Sequence, residues 1–387
     1  MNVLIIENSI GTTGAFKSIL AKTELIKDKT NFYFAIPKSS TNIEILKEKK
    51  IEYVEINFLE ISKRIYSLLF YFPILFVNTF RTLKYVKKNK IDIIHTNDIY
   101  NLIGICCKLF IKVKVITHIR RMPDSFPSVI YNFWVLTHKI FADKIIAVSN
   151  ANAEIFMGTN KLEVLYNPYI VPAKAQKTDG FNNEKVTETN QIVNQEFSSQ
   201  INLLYLANYN IGKGQNHAIE LVNILINKRK YELNIKVKFY GDDFGLDKNK
   251  KYKESLQLKV IEYNLEKYFE FYPGTKEIEK AIEKADIMLN LSDSESLSRV
   301  TMEALYFGKP IVATNVGGTK EMILDGVNGY LVNKFDYETM CNYLYELIVN
   351  KNKRTIFSSN NQITLKKFLP ETISIKFFEI YSSVLNQ

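Results

Sequence analysis

"DIMLNLSDSESLSRVTMEALYFGKPIVATNV", residues 286–316, decides the fold. "DIMLNLS" and "PIVATNV" are short apolar runs with the texture of strands, and the segment between them carries helix signals. Ser294 or Ser296 can cap its start and Gly308 followed by Pro310 stops it, so a helix is expected over about 296–307. A strand, a helix and a second strand in one short span make the crossover unit of a parallel sheet.

The same alternation extends in both directions. Upstream stand "NVLIIE", "FYFAIP", "IEYVEI", "DIIHTN", "KVITHI", "KIIAVS" and "LEVLYN", each followed by a helical or turn pattern. A second series begins at "INLLYLA", continues through "IKVKFYG" and "YFEFYPG", and closes with "GYLVN". A chain of 387 residues is too long for one ordinary core, and two α/β domains of one type account for both series. The polar stretch over 171–200 reads as a linker or surface excursion, which sets the domains at 1–170 and 201–370. In "TISIKFFEIYSSVLNQ", Ile373, Phe377, Ile380, Tyr381 and Val384 form one apolar stripe on a final helix, 371–387, expected to return to the N-terminal domain. No short repeat of solenoid period is present.

With 46% hydrophobic and 13% aromatic residues, the chain can bury enough apolar surface to exclude global disorder. Its net charge of +10 favours an anionic partner such as a nucleotide, a nucleic acid or an acidic lipid surface. Cys106, Cys107 and Cys341 have no metal-type spacing and one is left over, so no disulfide framework is expected and a reducing cytosol fits. "MNVLIIENS" does not read as a signal peptide. Residues 64–90 are read in two ways. The apolar part, 65–80, is shorter than the roughly 20 residues of a bilayer span, and Pro73 is expected to interrupt a helix there. Lys63, Arg64, Arg81, Lys84, Lys87, Lys88 and Lys90 occur over 61–90 without one acidic residue. The segment therefore either docks on an anionic membrane surface or packs as a broken helix on the sheet.

Glu295 and Glu303 stand eight residues apart, about 12 Å along a helix axis and about 80° apart in azimuth, too far to share a metal or a proton. They suit the two ends of an elongated ligand, with a phosphate over the helix start between them. The plain alternative is a capping box from Ser292 to Glu295 and an ion pair from Arg299 to Glu303. The Gly317–Gly318 pair in "NVGGTKEMI" allows backbone N–H groups to approach an anion, and Lys213 in "LANYNIGKGQNHAI" supplies a cation at a strand end.

Taken in order, "SESLSRVTMEALYFGKPIVATNVGGTKEMILDGVNGYLV", "LANYNIGKGQNHAI", "ADKIIAVSNANAEIF" and "LYNP" closely resemble the retaining nucleotide-sugar glycosyltransferases of family 4. The resemblance implies the GT-B fold, two Rossmann-like domains facing across a cleft, with the acceptor bound by 1–170 and the donor by 201–370. It implies that Glu295 holds the transferred sugar and Glu303 the ribose, while Lys213, Gly317, Gly318 and Thr319 meet the diphosphate. "GTTGAF" resembles the family's N-terminal glycine loop, which makes Gly14 a candidate, and His118 in "VITHIRR" aligns with the family's histidine. Glu295, His118 and Lys213 are thus the catalytic candidates, and Ser296, Ser298, Arg299 and Asn208 join the donor site.

Three departures matter. Asn208 stands where the family commonly has arginine, with Arg299 and Arg120 as candidates to replace that charge. Ser296 and Ser298 replace the usual glycines, and Asn315 replaces an acidic residue.

The implied activity is metal-independent transfer, with retention, from a nucleoside diphosphate sugar to a glycan or lipid-linked acceptor in cell-envelope polysaccharide synthesis. "GDD" at 241–243 and "DSE" at 293–295 are too weak to suggest a metal, and no cofactor is expected. A cytoplasmic protein, peripheral at the inner face of the plasma membrane, is expected. A catalytically silent GT-B subunit supporting a partner is the alternative. No interleaved aromatic and basic motif points to nucleic acid.

Overall fold

The computed structural model describes residues 1–59, 65–170, 200–275 and 277–386. The linker expected over 171–200 therefore lies, but for residue 200, outside the described residues. The chain forms two compact units, Met1–Pro168 with Lys367–Gln387, and Tyr169–Lys366.

In the first unit, β1 (Asn2–Ile6), β2 (Asn31–Pro37), β3 (Tyr53–Ile56), β4 (Ile93–Thr96), β5 (Lys114–Ile119), β6 (Lys144–Ala147) and β7 (Leu162–Val164) form one sheet. All pairings are parallel, in the order β3-β2-β1-β4-β5-β6-β7. The period of two in β1 feeds both faces: Val3 and Ile5 enter one buried cluster, Leu4 and Ile6 the other. The final helix, Pro370–Leu385, lays Ile373, Phe377, Ile380, Tyr381 and Val384 into the cluster of Val3 and Ile5, so it returns to the first unit.

The second unit repeats the plan with β8 (Ile201–Leu206), β9 (Ile235–Tyr240), β10 (Phe269–Tyr272), β11 (Ile287–Asn290), β12 (Ile311–Thr314) and β13 (Tyr330–Val332). Their order is β10-β9-β8-β11-β12-β13, again parallel throughout. Leu203 and Tyr205 face one core cluster, Leu204 and Leu206 the other. In each sheet the chain winds outward to one side and then to the other, leaving a switch point at the carboxyl ends of β1 and β4 and of β8 and β11. In open α/β sheets that is where ligands bind.

Two local expectations are corrected. Pro73 does not interrupt the helix, which runs unbroken over Ile65–Lys88. The missing Pro73 N–H leaves the Leu69 carbonyl without its helical donor, but both residues lie on the exposed face, where water can supply one. Tyr71, Leu75, Leu83 and Val86 hold the opposite face in the core. The helix expected over about 296–307 is shorter, Arg299–Tyr306, and its cap is Ser298 in place of Ser294 or Ser296.

The helix Ser128–Phe141 places a histidine inside the first unit. His138 Nε2 donates to the Ile99 carbonyl at 2.6 Å, and Nδ1 lies 2.7 Å from the Thr117 hydroxyl, which donates to it. Burial lowers its pKa from 6.5 to about 4, so the ring is neutral near pH 7 and Nδ1 is free to accept. The folded value lies below the unfolded one, so the unfolded chain takes up the proton first. The neutral ring's contribution is complete above about pH 6.5 and lost as pH falls toward 4. Relative to His138→Gln, the wild type should lose roughly 3 kcal/mol of stability across that window. Urea unfolding of both proteins at about pH 7 and about pH 4.5 checks this, and a difference independent of pH would contradict it.

Candidate functional site

Three loops meet at the switch point of the second unit: 207–214 after β8, 291–298 after β11 and 315–319 after β12. Tyr205, buried in β8, ties the first two. Its hydroxyl donates to the Lys213 carbonyl at 2.6 Å and accepts from the Leu291 N–H at 3.0 Å. The Asp293 N–H donates to the Gly212 carbonyl at 2.8 Å. Gly214 has φ +79°, and a Cβ there would stand 2.0 Å from the Leu291 carbonyl oxygen, so only glycine permits the approach.

This docking delivers Lys213 to Glu295, with Nζ 2.7 Å from Oε1. The third loop fixes Glu295 from the other side. The Gly318 N–H donates to the Glu295 carbonyl at 3.0 Å. Gly317, at φ +47°, packs so closely that a Cβ would lie 1.8 Å from that same oxygen. The expected use of both glycine amides for an anion is thus corrected at Gly318, whose N–H is taken by the protein. Thr319 is buried, and its N–H donates to the Val316 carbonyl. The Thr319 hydroxyl has no hydrogen-bond partner among the described residues.

Glu303 does not decorate a wet face: it is 4% exposed. Its Oε1 accepts from Arg299 Nε at 3.0 Å, the ion pair that the spacing allowed. Tyr169 lies close enough that, after burial, the Glu303 charge is the next cause raising its phenol pKa. The capping box from Ser292 to Glu295 does not form. The Ser292 hydroxyl donates to Asn290 Oδ1 at 3.0 Å, while Ser298 Oγ accepts from the Thr301 N–H and from Asn290 Nδ2. Ser296 is half-buried just before the helix. Asn208 Oδ1 accepts from the Asp242 N–H at 3.1 Å, holding the neighbouring loop.

Sequence reading missed Tyr205 and Asp293. Asp293 Oδ1 lies 3.1 Å from Lys334 Nζ and 3.6 Å from His217 Nε2. Neither has a local signal, since a strand tyrosine reads as core and Lys334 is distant in the chain.

His118 and Gly14 belong to the first unit, where the structure separates them in kind. The His118 ring, in β5, is fully buried, with Nδ1 3.1 Å from His95 Nε2 and Nε2 3.5 Å from Lys22 Nζ. His95 Nδ1 in turn lies 2.7 Å from the Tyr381 hydroxyl. Burial lowers the pKa of both histidines and of Lys22 well below their ordinary values, so the rings are neutral. The His118 ring, a catalytic candidate by resemblance, thus has a polar neighbour at each nitrogen within the first unit, the reading that a strand-end histidine also allows. Arg120, a candidate to replace the charge missing at Asn208, is buried too. It donates to Asn97 Oδ1 at 2.7 Å and Asn167 Oδ1 at 2.8 Å, and its pKa is lowered to about 10 by burial. Gly14 opens the helix Gly14–Leu25 behind the Thr13 cap, and a Cβ there would meet nothing within 4 Å. The fold does not require glycine at that position.

Residues 186–364 match the family described as "Glycosyl transferases group 1". The chain is 26% identical over 277 residues to an uncharacterized 41.2 kDa protein in the cps region of Klebsiella pneumoniae, covering 67% of this chain and 69% of that one. It is 25% identical over 301 residues to the uncharacterized glycosyltransferase MJ1069 of Methanocaldococcus jannaschii, covering 73% and 71%. Among solved structures, Anabaena Alr3699/HepE in complex with UDP superposes with a TM-score of 0.79 at 20% identity, over 99% of this chain and 100% of that one. With two such parallel sheets and this superposition, the chain has a GT-B-like fold, and its residues 186–364 are similar to the group 1 glycosyl transferases.

Proposed function

We propose that this chain transfers a sugar, with retention, from a nucleoside diphosphate to a glycan or lipid-linked acceptor in cell-envelope polysaccharide synthesis. It works in the cytoplasm, at the inner face of the membrane. The observation that carries the reading is the Lys213–Glu295 pair at the second switch point, seated on the Gly317 turn. A cation and a carboxylate held by backbone docking match a sugar diphosphate, the first meeting the phosphates and the second accepting from sugar hydroxyls. Donor binding opens the pair. Uridine is the base to test first, since the Anabaena neighbour is complexed with UDP and with UDP-glucose. Retention follows the family-4 likeness, and the anomeric coupling of the product checks it.

On this reading transfer needs no divalent ion, since no Asp-x-Asp pair sits at a strand end and the acidic candidates at 242–243 serve as turn acceptors. Asp242 Oδ1 accepts from the Gly274 N–H and Asp243 Oδ1 from the Gly245 N–H. A chelator should leave the rate unchanged. The central experiment offers the purified chain a panel of sugar nucleotides and reads melting temperature and turnover. One donor should raise the melting temperature and be consumed. If none did either, the reading would be wrong. Tight UDP binding without hydrolysis or transfer would instead favour a silent subunit, a reading motivated by Asn208 and by the closed ion pair.

Glu303→Ala should weaken UDP binding about tenfold, as expected for losing a charged hydrogen bond to the ribose. Glu303→Gln, which retains shape and one acceptor, should recover part of the loss in titration calorimetry. Wild-type affinity in both variants would remove Glu303 from the donor site.

A further inference from the structure

The helix Ile65–Lys88 has two apolar faces, and only one is covered within its unit. Leu69, Phe72, Phe76 and Phe80 follow one another at spacings of three and four, which keeps them on one side. They are 70%, 60%, 63% and 47% exposed. The Phe76 and Phe80 rings lie 4.6 Å apart, and Phe80 lies 5.7 Å from Phe110. The patch therefore passes onto the Leu109–Phe110 turn, where both side chains are exposed. Next to that turn, Lys108 Nζ donates to the Phe141 carbonyl at 3.0 Å, which brings up the end of the helix Ser128–Phe141. That helix also turns Tyr131, Trp134 and Val135 inward while Val129, Phe133, Leu136 and Ile140 stay exposed along its other side. So long an apolar surface is uncommon on a monomer.

Charge selects the occupant. Residues 61–142 contain thirteen lysines and arginines and three acids, Asp92, Asp98 and Asp124. Asp98 is buried, Asp92 accepts from the Asn2 N–H, and Asp143 at the margin is held by Lys108 and Lys114. The face that carries Phe76 and Phe80 continues into exposed Lys84 and Lys87. Pairing two copies through this face would set lysines against lysines if the helices ran parallel, and against Leu69 and Phe72 if they ran antiparallel. We infer that the first unit seats these two helix faces in the interface of an anionic lipid bilayer, the rings entering the acyl boundary and the lysines meeting phosphates. Among the described residues no helix is long and apolar enough to cross, so the contact lies in the plane of the interface. The 64–90 reading thereby gains a second helix, 128–141. The inference stands apart from the donor site.

The test floats the purified chain with vesicles of phosphatidylcholine, alone or with about one third phosphatidylglycerol. Binding is expected only to the anionic vesicles, and to weaken with salt. Phe76→Ser with Phe80→Ser should lower the partition coefficient by about tenfold or more, since two partly inserted rings are lost. Lys84→Gln with Lys87→Gln should lower it by about fivefold per lysine. These four side chains are exposed or at the helix surface, so melting temperature and the UDP-induced shift should match the wild type in both variants. Absence of binding to anionic vesicles with the UDP shift intact would overturn the inference. So would unchanged partition in both variants, or a wild-type dimer that the phenylalanine variant dissociates. Vesicle binding without any UDP shift would uphold it while removing the donor reading.

Discussion

Lys213→Ala is expected to slow sugar transfer by about 10²–10³-fold, the range seen when one preorganised donor to a developing negative charge is removed. The leaving diphosphate gathers charge as the glycosidic bond breaks, and Lys213 is the cation that the Tyr205 and Gly212 contacts aim at the switch point. Those contacts use backbone atoms of residues 212 and 213, so truncating the side chain leaves the loop in place. The melting temperature should barely move, because the lysine side chain is 38% exposed and such ion pairs add little to stability. Glu295→Gln separates the two partners. It releases Lys213 from a competing carboxylate, so UDP should bind as tightly or several-fold more tightly, while transfer falls because the sugar loses a charged acceptor and keeps only a neutral one. Titration calorimetry with UDP and single-turnover rates check both variants. Wild-type transfer by Lys213→Ala would end the assignment.

Gly317→Val should abolish transfer, by at least about 100-fold, and lower stability by roughly 2–3 kcal/mol. Two obstacles coincide there. The backbone sits at φ +47°, where a β-branched side chain is strained, and any Cβ would collide with the Glu295 carbonyl oxygen at 1.8 Å. The loop must move, and Glu295 moves with it. Gly14→Ala is the contrast, because its Cβ would meet nothing within 4 Å and alanine favours a helix. Melting temperature should be unchanged or slightly higher in that variant. Thermal unfolding and transfer assays compare the two, and equal stability losses would contradict the packing argument.

The thirteen strands were legible because each is a short apolar run bounded by turn residues, and a strand buried on both faces needs little more than that. The final helix was legible too, since Ile373, Phe377 and Tyr381 recur at helical spacing and demanded a core. Less legible were the points where two equally good local signals competed. Ser294 and Ser296 compete as local caps, and the cap is instead Ser298, whose hydroxyl also accepts from Asn290 of the preceding strand. Pro73 reads locally as a break, yet the helix continues because the residues on either side of it gain more from burying Tyr71, Leu75 and Leu83 than one lost hydrogen bond removes.

By itself the sequence determined the parallel α/β architecture in two series, and the candidates Lys213, Glu295, Glu303 and Gly317, because periodicity and turn chemistry act over a few neighbouring residues. Only the tertiary structure decided that Lys213 meets Glu295, that Gly318 donates to a protein carbonyl, and that His118 lies closed against His95 and Lys22. Those outcomes depend on which strands lie side by side. Residues 213 and 295 are brought together by the pairing of β8 with β11, a contact between segments more than eighty residues apart that no local pattern encodes.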